Sequence, residues 1–134
     1  MLYYSMENEI GNAGMRMLGF SKRWQKLSNS QFTTFRFKRR DKRDWQVDEV
    51  VKVVYKPRSR EREVLGIAKI ISKGMRWVRL SVFPDNEGIL IITEEEARGD
   101  GFDDIEDMMG WLYDIYGERY QEEPMNKLTL KWVK

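Results

Sequence analysis

The chain has 134 residues, of which 41% are hydrophobic and 34% charged, a composition typical of one globular domain with an ionic surface. It contains no Cys and no His, which excludes disulfides, thiolate nucleophiles, the usual zinc ligands and an imidazole base, and leaves carboxylate, Lys, Tyr, Ser and Thr chemistry. No apolar run approaches the roughly 20 residues that span a bilayer, and no signal-peptide pattern opens the chain, so we expect a cytoplasmic protein without membrane contact.

The net charge of +2 conceals a strong asymmetry along the chain. Residues 16–62 carry 15 Lys or Arg against 5 acidic residues, a balance of +10, whereas residues 85–123 carry 14 acidic against 2 basic residues, a balance of −12. The basic half is a candidate surface for a polyanion and the acidic half would repel one, so a nucleic-acid footprint should be one-sided. Neutralisation of the two halves by surface salt bridges is the alternative interpretation.

The first half of the chain predicts a loose arm followed by short elements. Residues 1–14 lack periodicity, which favours a flexible arm, so we expect a single domain over residues 15–134. In the first helix the hydrophobic spacing directs Trp24 and Leu27 inward and Lys26 outward. The expected elements are a strand at 15–20, a helix at 21–28, a strand at 31–37, an exposed loop at 38–44, a strand at 48–55 and a hairpin at 56–62.

The second half predicts further strands and the two main helices. Gly66 indicates a bulge and Gly74 a strand end, while Thr93 and Glu96 fit a capping box and Gly117 a helix terminus. The expected elements are strands at 64–71, 76–83 and 89–92, a turn at 84–88, helices at 93–98 and 103–116, and a last strand at 125–133. Five to six strands with two to three helices predict an α+β fold, a small mixed β-barrel whose ends the helices close.

The central strand is the candidate site. With a period of two, Phe32, Thr34 and Arg36 share one face, and a tract of positive charge follows directly. Such a face can form the floor of a binding site. An ordinary half-buried strand whose arginine extends to water is the alternative.

Several short motifs together resemble the ASCH domain of the PUA-like superfamily, from about Met17 to the C-terminus. The most specific are Thr34-Phe35-Arg36 near the start and Ala97-x-x-Asp100-Gly101-Phe102 before a helix that ends near Tyr116-Gly117. Three further motifs lie before or between these two, namely Trp24-x-x-Leu27, Asp48-Glu49-Val50-Val51 and Gly66-Ile67-Ala68-Lys69-Ile70.

The resemblance implies a β-barrel whose cleft is lined by the early Thr-x-Arg strand and the Asp-Gly-Phe turn, in a fold associated with RNA binding and RNA metabolism. The cleft residues are then Gln31, Thr33, Thr34, Arg36, Asp100, Gly101 and Phe102, with Asp100 opposite Arg36. Basic loops would flank this cleft, so that a base or nucleoside enters it while the rim grips phosphates. The rim residues are Arg36, Lys38, Arg39, Arg40, Lys42, Arg43, Lys56, Arg58, Arg60 and Arg62.

The first functional hypothesis is therefore a non-catalytic module that binds single-stranded or structured RNA, with DNA as a second candidate and no cofactor or metal. The aromatic residues available to stack on a base are Trp24, Phe32, Trp77 and Trp111.

The second hypothesis is an enzyme, since ASCH-like amidohydrolases use a Lys, a Thr and a Glu together. The Thr corresponds to Thr34 and the Glu to Asp100, but the Lys falls on Gln31, and Lys26 is the residue that would have to replace it. A metal-assisted ribonuclease would need Asp100, Asp103 and Asp104 as a cluster. A protein-binding adaptor is the third hypothesis.

Overall fold

The computed structural model describes residues 15–80 and 88–133. The predicted arm at 1–14 lies outside the described residues, as does most of the predicted turn at 84–88. Among the described helices none is long and apolar enough to cross a membrane. The elements are β1 (Arg16–Phe20), a 3-10 helix (Gln25–Ser28), β2 (Gln31–Phe37), β3 (Val50–Tyr55), β4 (Glu63–Trp77), β5 (Leu90–Ile91), α1 (Glu94–Asp100), α2 (Ile105–Tyr116), α3 (Arg119–Glu122) and β6 (Met125–Trp132).

The six strands in the described part of the chain form one sheet in the order β1-β3-β4-β6-β2, with β5 paired to the end of β4. β1 runs parallel to β3, and the pairs β3-β4, β4-β6 and β6-β2 are antiparallel. The sheet curls into a half-barrel whose two edges are β1 and β2. The predicted α+β class, with a small mixed β-barrel and two to three α-helices, is confirmed.

Alternating side chains of the strands fill the inside of the curl. Leu18 of β1, Val51 and Val53 of β3 and Ile70 of β4 are all fully buried, and each contributes roughly 1.5–3 kcal/mol by leaving water. A second cluster forms where the helices pack on the sheet, and it contains Phe35, Phe37, Val78, Ile92, Ala97, Phe102, Ile105, Met108, Leu112, Tyr120 and Met125.

β4 corrects the prediction of two strands separated at Gly74. Gly74 pairs with Lys127 inside a continuous strand of 15 residues. The glycine does not end the strand because β6 supplies hydrogen-bond partners on both sides of it, and these outweigh its weak intrinsic β-propensity. The predicted bulge is confirmed, since the β3-β4 register shifts between Val53 and Val54, opposite Gly66.

The first predicted helix is wrong in length and type. Only a four-residue 3-10 helix forms, and it has no side-chain cap. The helices of the second half agree better with the sequence. Thr93 and Glu96 form the capping box of α1, which runs to Asp100 rather than Arg98. Asp104 caps α2, and Gly117 terminates it as expected.

Candidate functional site

Arg36 joins the two edges of the curled sheet. From β2 its Nη2 donates to the main-chain oxygen of Gly19 on β1 at 2.8 Å, and its Nε donates to Thr34 Oγ1 at 3.0 Å. The guanidinium also lies 4.7 Å from the ring centroid of Phe20. Burial lowers the pKa of Arg36 below its usual value, but a guanidinium stays charged in proteins. The gap between the edges therefore holds a fixed positive charge.

A cavity of about 110 Å³ lies at this gap, between Arg36 and the inner face of α2. A single water molecule needs only about 10–15 Å³, so the space is large enough for a small organic group. Polar groups line one side of the cavity, and they come from Lys26, Thr34, Arg36 and Asp100. Aromatic rings line another side, so the cavity combines hydrogen-bonding groups with flat apolar surfaces, as ligand pockets do.

A buried ion pair closes the polar side. Lys26 Nζ donates to Asp100 Oδ1 at 2.7 Å, and both side chains are less than one-tenth exposed. Burial lowers the pKa of Lys26 and raises the pKa of Asp100, while each charge opposes the shift of the other. The prediction that Lys26 faces outward is thus wrong, because a short 3-10 helix turns this side chain under the sheet edge.

Backbone geometry at the end of α1 sets the position of Asp100. Gly101 follows it with φ +115° and so adopts a left-handed conformation that ends the helix. A Cβ on Gly101 would come within 2.6 Å of the Trp24 ring, so only glycine lets this turn approach the indole. The same close approach brings Asp100 to Lys26, which follows Trp24 by two residues.

The seven predicted cleft residues divide into three groups. Thr34, Arg36, Asp100 and Phe102 line the cavity. Thr33 donates to Asp100 Oδ1 at 3.2 Å, but it lines a separate groove, together with Gln31, on the other side of the Lys26-Asp100 pair. Gly101 contacts Trp24.

Asp100 and Arg36 line the same cavity, as the resemblance implies, but they do not form a direct ion pair. Asp100 pairs with Lys26, whereas Arg36 bonds to neutral oxygens. In the described residues no carboxylate lies within ion-pair distance of Arg36, and no oxygen accepts from its Nη1.

Two of the four predicted stacking residues lie at the cavity. Trp24 and Trp111 both line it, and their ring centroids are 5.3 Å apart in an edge-to-face contact. Phe32 instead packs in the core against Trp132, with centroids 5.1 Å apart. Trp77, near the end of β4, lies 4.5 Å from the guanidinium of Arg79.

Two grooves meet the cavity at Arg36 and Tyr116. The loop groove, about 360 Å³, runs past residues 38–41 to Trp45 and Arg119. The hairpin groove, about 700 Å³, runs past residues 56–59 and shares Gly19, Phe20, Ser21 and Ile115 with the cavity as well. The hairpin groove is therefore the mouth of the cavity, and the loop groove begins at the same mouth.

The predicted rim residues differ in how their charges are engaged. Arg39 and Arg43 pair with Asp41, Arg40 pairs with Glu123, and Lys56 pairs with Glu61. Five others are exposed and have no ion-pair partner among the described residues, namely Lys38, Lys42, Arg58, Arg60 and Arg62.

Two of the three carboxylates considered for a metal have other roles. Asp104 Oδ1 accepts from the amide of Asp107 as the cap of α2, and the amide of Asp103 donates to Asp107. Asp100 is held by Lys26. Over the described ranges, no group of three or more His, Cys, Asp or Glu is arranged to hold a metal ion.

Sequence reasoning missed three features of the site. Ile115 and Tyr116 are 50% and 45% exposed and line the mouth of the cavity. Their position in the last turn of α2, directly before Gly117, was the available signal. Trp45 is buried under the guanidinium of Arg16, 4.4 Å from its ring centroid, and it anchors the loop that carries the basic tract. No local periodicity marks it.

Comparison of the chain with protein-family models, with curated proteins and with solved structures gives no match.

Proposed function

We propose that this protein is a non-catalytic RNA-binding module that holds a base or nucleoside in the cavity and phosphates at its rim. The observation that carries the proposal is Arg36. Its guanidinium is fixed by Gly19 and Thr34 at the mouth, and among the described residues it has no carboxylate partner and no acceptor for Nη1. A positioned arginine with free donors is a suitable ligand for a phosphate oxygen.

The distribution of positive charge supports the proposal. Exposed Lys38 lines the loop groove and exposed Arg58 lines the hairpin groove, one on each side of Arg36. Lys and Arg side chains that neutralise phosphates release the salt ions condensed on the nucleic acid, and this release supplies a large share of the affinity. We therefore assign the basic rim mainly to the five exposed cations that have no ion pair within the described ranges, rather than to all the residues of the two loops.

The aromatic wall supports binding of a base rather than of phosphate alone. Trp24 and Trp111 offer ring faces or edges to the cavity, and stacking on an aromatic side chain contributes roughly 1–3 kcal/mol per base. Single-stranded or structured RNA is favoured over duplex, because a paired base cannot enter a side cavity without leaving its stack. DNA is the second candidate ligand, and a cytoplasmic location fits this function.

We also propose that this chain belongs to the ASCH domain family. Its two most specific motifs contribute Thr34, Arg36, Asp100 and Phe102 to the wall of one cavity, although they are more than sixty residues apart in the chain. Their convergence supports the resemblance because each motif alone is short.

An amidohydrolase is the second candidate, and Lys26 favours it. The amine reaches the cavity beside Thr34 and Asp100, so a Lys, a Thr and an acid are together although the expected Lys position is Gln31. Burial lowers the pKa of Lys26 toward the range in which an amine can accept a proton from an attacking water. The close Asp100 carboxylate opposes this shift, which is why binding without catalysis is the primary proposal.

One titration series separates these functions. Fluorescence anisotropy should detect binding of single-stranded RNA at several salt concentrations, with a duplex and a DNA of the same sequence as comparisons. N4-acylcytidine and the RNA itself are incubated with the protein in parallel and analysed for turnover. Salt-dependent RNA binding without turnover supports the RNA-binding module, and turnover of either compound supports an enzyme. The absence of both RNA binding and turnover supports the protein-binding adaptor.

A further inference from the structure

We propose that the RNA ligand is a single strand read at an internal nucleotide, with its base in the cavity and its two flanking phosphates in two different grooves. One phosphate lies in the loop groove and the other in the hairpin groove. This inference rests on the RNA-binding function proposed above, and it adds the form of the ligand to that function.

The first argument is that the cavity, the loop groove and the hairpin groove meet at one point. Arg36 and Tyr116 line the cavity, the loop groove and the hairpin groove. A free nucleoside would need the cavity alone, and the terminal nucleotide of a strand would need the cavity and one groove. A continuous strand that passes over the mouth uses both grooves and leaves one nucleotide above the cavity.

Charge on both sides of the mouth is the second argument. Lys38 in the loop groove and Arg58 in the hairpin groove are exposed, and neither has an ion-pair partner in the part of the chain that the structure describes. Arg36 lies between them, and no atom in the described part of the chain accepts from its Nη1. Cations on both sides of one base-sized cavity fit a polynucleotide strand, in which every internal base is flanked by a phosphate on each side.

The half-exposed ring of Tyr116 is the third argument. It contacts Phe37 edge to face, with centroids 5.0 Å apart, and this contact fixes the ring at the junction of the grooves. A neighbouring base can therefore stack beside the mouth while the central base occupies the cavity. A rigid duplex offers neither an unpaired central base nor a free neighbour for this ring.

A ligand series with a fixed register tests the inference. The first of the four probes is a free nucleoside. The second and third carry one abasic ribonucleotide, at the 5′ side or at the 3′ side of that nucleoside. The fourth carries one abasic ribonucleotide on each side. The series is made with each of the four bases. The single base permits only one register in the cavity, and each extension adds one phosphate. Affinities are measured for the wild-type protein, Lys38→Gln and Arg58→Gln, with Lys131→Gln as a control on the exposed end of β6.

The expected result is a gain of roughly tenfold for each extension, as for one charge-assisted phosphate contact. Lys38→Gln should remove the gain from one extension and Arg58→Gln the gain from the other, while Lys131→Gln leaves both. Equal affinities across the series, or equal effects of both variants on every probe, would overturn the inference and leave RNA binding at the cavity intact. Binding of a duplex as tight as that of a long single strand would also overturn it. Failure of every probe and of long RNA would overturn the proposed function itself.

Discussion

Lys26 and Asp100, 74 residues apart in the chain, are joined by a 2.7 Å hydrogen bond inside the protein. The pair connects the 3-10 helix before β2 with the end of α1 and forms one wall of the cavity. Because both groups are buried, the desolvation cost of each charge is offset by its attraction to the other.

We expect the loss of one partner to be far more harmful than the loss of both. Asp100→Leu leaves an unpaired buried ammonium and should lower the free energy of unfolding by about 3–5 kcal/mol. The double variant Lys26→Met/Asp100→Leu should recover most of that loss, because a buried pair replaced by apolar groups is close to neutral. Denaturant titration of the single and double variants measures the coupling, and additive losses would contradict the account of this pair.

The same double variant distinguishes the two functional candidates. A binding module should retain its affinity for phosphate at the rim, although contacts to the base can weaken. An enzyme that uses Lys26 should lose all turnover. Nucleoside turnover by a folded Lys26→Met/Asp100→Leu protein would exclude a role for this pair in catalysis.

Two neighbouring glycines should respond in opposite directions to alanine. Gly101→Ala combines a φ of +115° with a Cβ placed 2.6 Å from Trp24, and we expect it to lower stability by roughly 2 kcal/mol or more. Gly99 lies inside α1 with no atom within 4 Å of an added Cβ. Gly99→Ala should therefore raise stability by about 0.5–1 kcal/mol. Thermal unfolding of the two variants checks both signs, and a stable Gly101→Ala protein would contradict the geometry of this turn.

The pair Arg16-Glu49 should make the basic loop sensitive to acid. Arg16 donates from Nε and Nη2 to the two carboxylate oxygens of Glu49, each at 2.6 Å, and this contact lowers the pKa of Glu49. Because the pKa is lowered in the folded state, the stabilisation is complete above the unfolded pKa of about 4.3 and is lost as the pH falls through the folded pKa.

Glu49→Gln should consequently lower the stability at pH 7 by about 1 kcal/mol, or roughly 3–5 °C in Tm. The difference from the wild-type protein should shrink as the pH falls below about 4.3 and through the lowered folded pKa of Glu49. Thermal scans across this range measure the gap. A gap that is independent of pH would show that the carboxylate charge of Glu49 contributes nothing to stability.

Local signals predicted the parts of the fold that local chemistry determines. Thr93 and Glu96 form a reciprocal cap between neighbouring residues, and Gly117 ends a helix through its own backbone freedom, so both are readable from the sequence. Gly74 misled the strand assignment because the decisive partner, Lys127 on β6, lies more than fifty residues away.

The candidate site was predictable in its composition but not in its pairing. Thr34, Arg36, Asp100 and Phe102 were named from motifs, and they share one cavity. The partner of Asp100 was not predictable, because it depends on how far a four-residue 3-10 helix rotates Lys26 under the edge of the sheet.

The central claim is that phosphates bind at the cations on both sides of Arg36. The most direct measurement is the salt dependence of the affinity for single-stranded RNA, compared between the wild-type protein, the double variant Lys38→Gln/Arg58→Gln and the control Lys131→Gln. Each lost phosphate contact reduces the slope of log affinity against log salt by about 0.7, so the double variant should have a slope lower by roughly 1.4 and weaker binding to every sequence. The control should match the wild-type protein. A double variant with unchanged affinity and unchanged slope would contradict the claim.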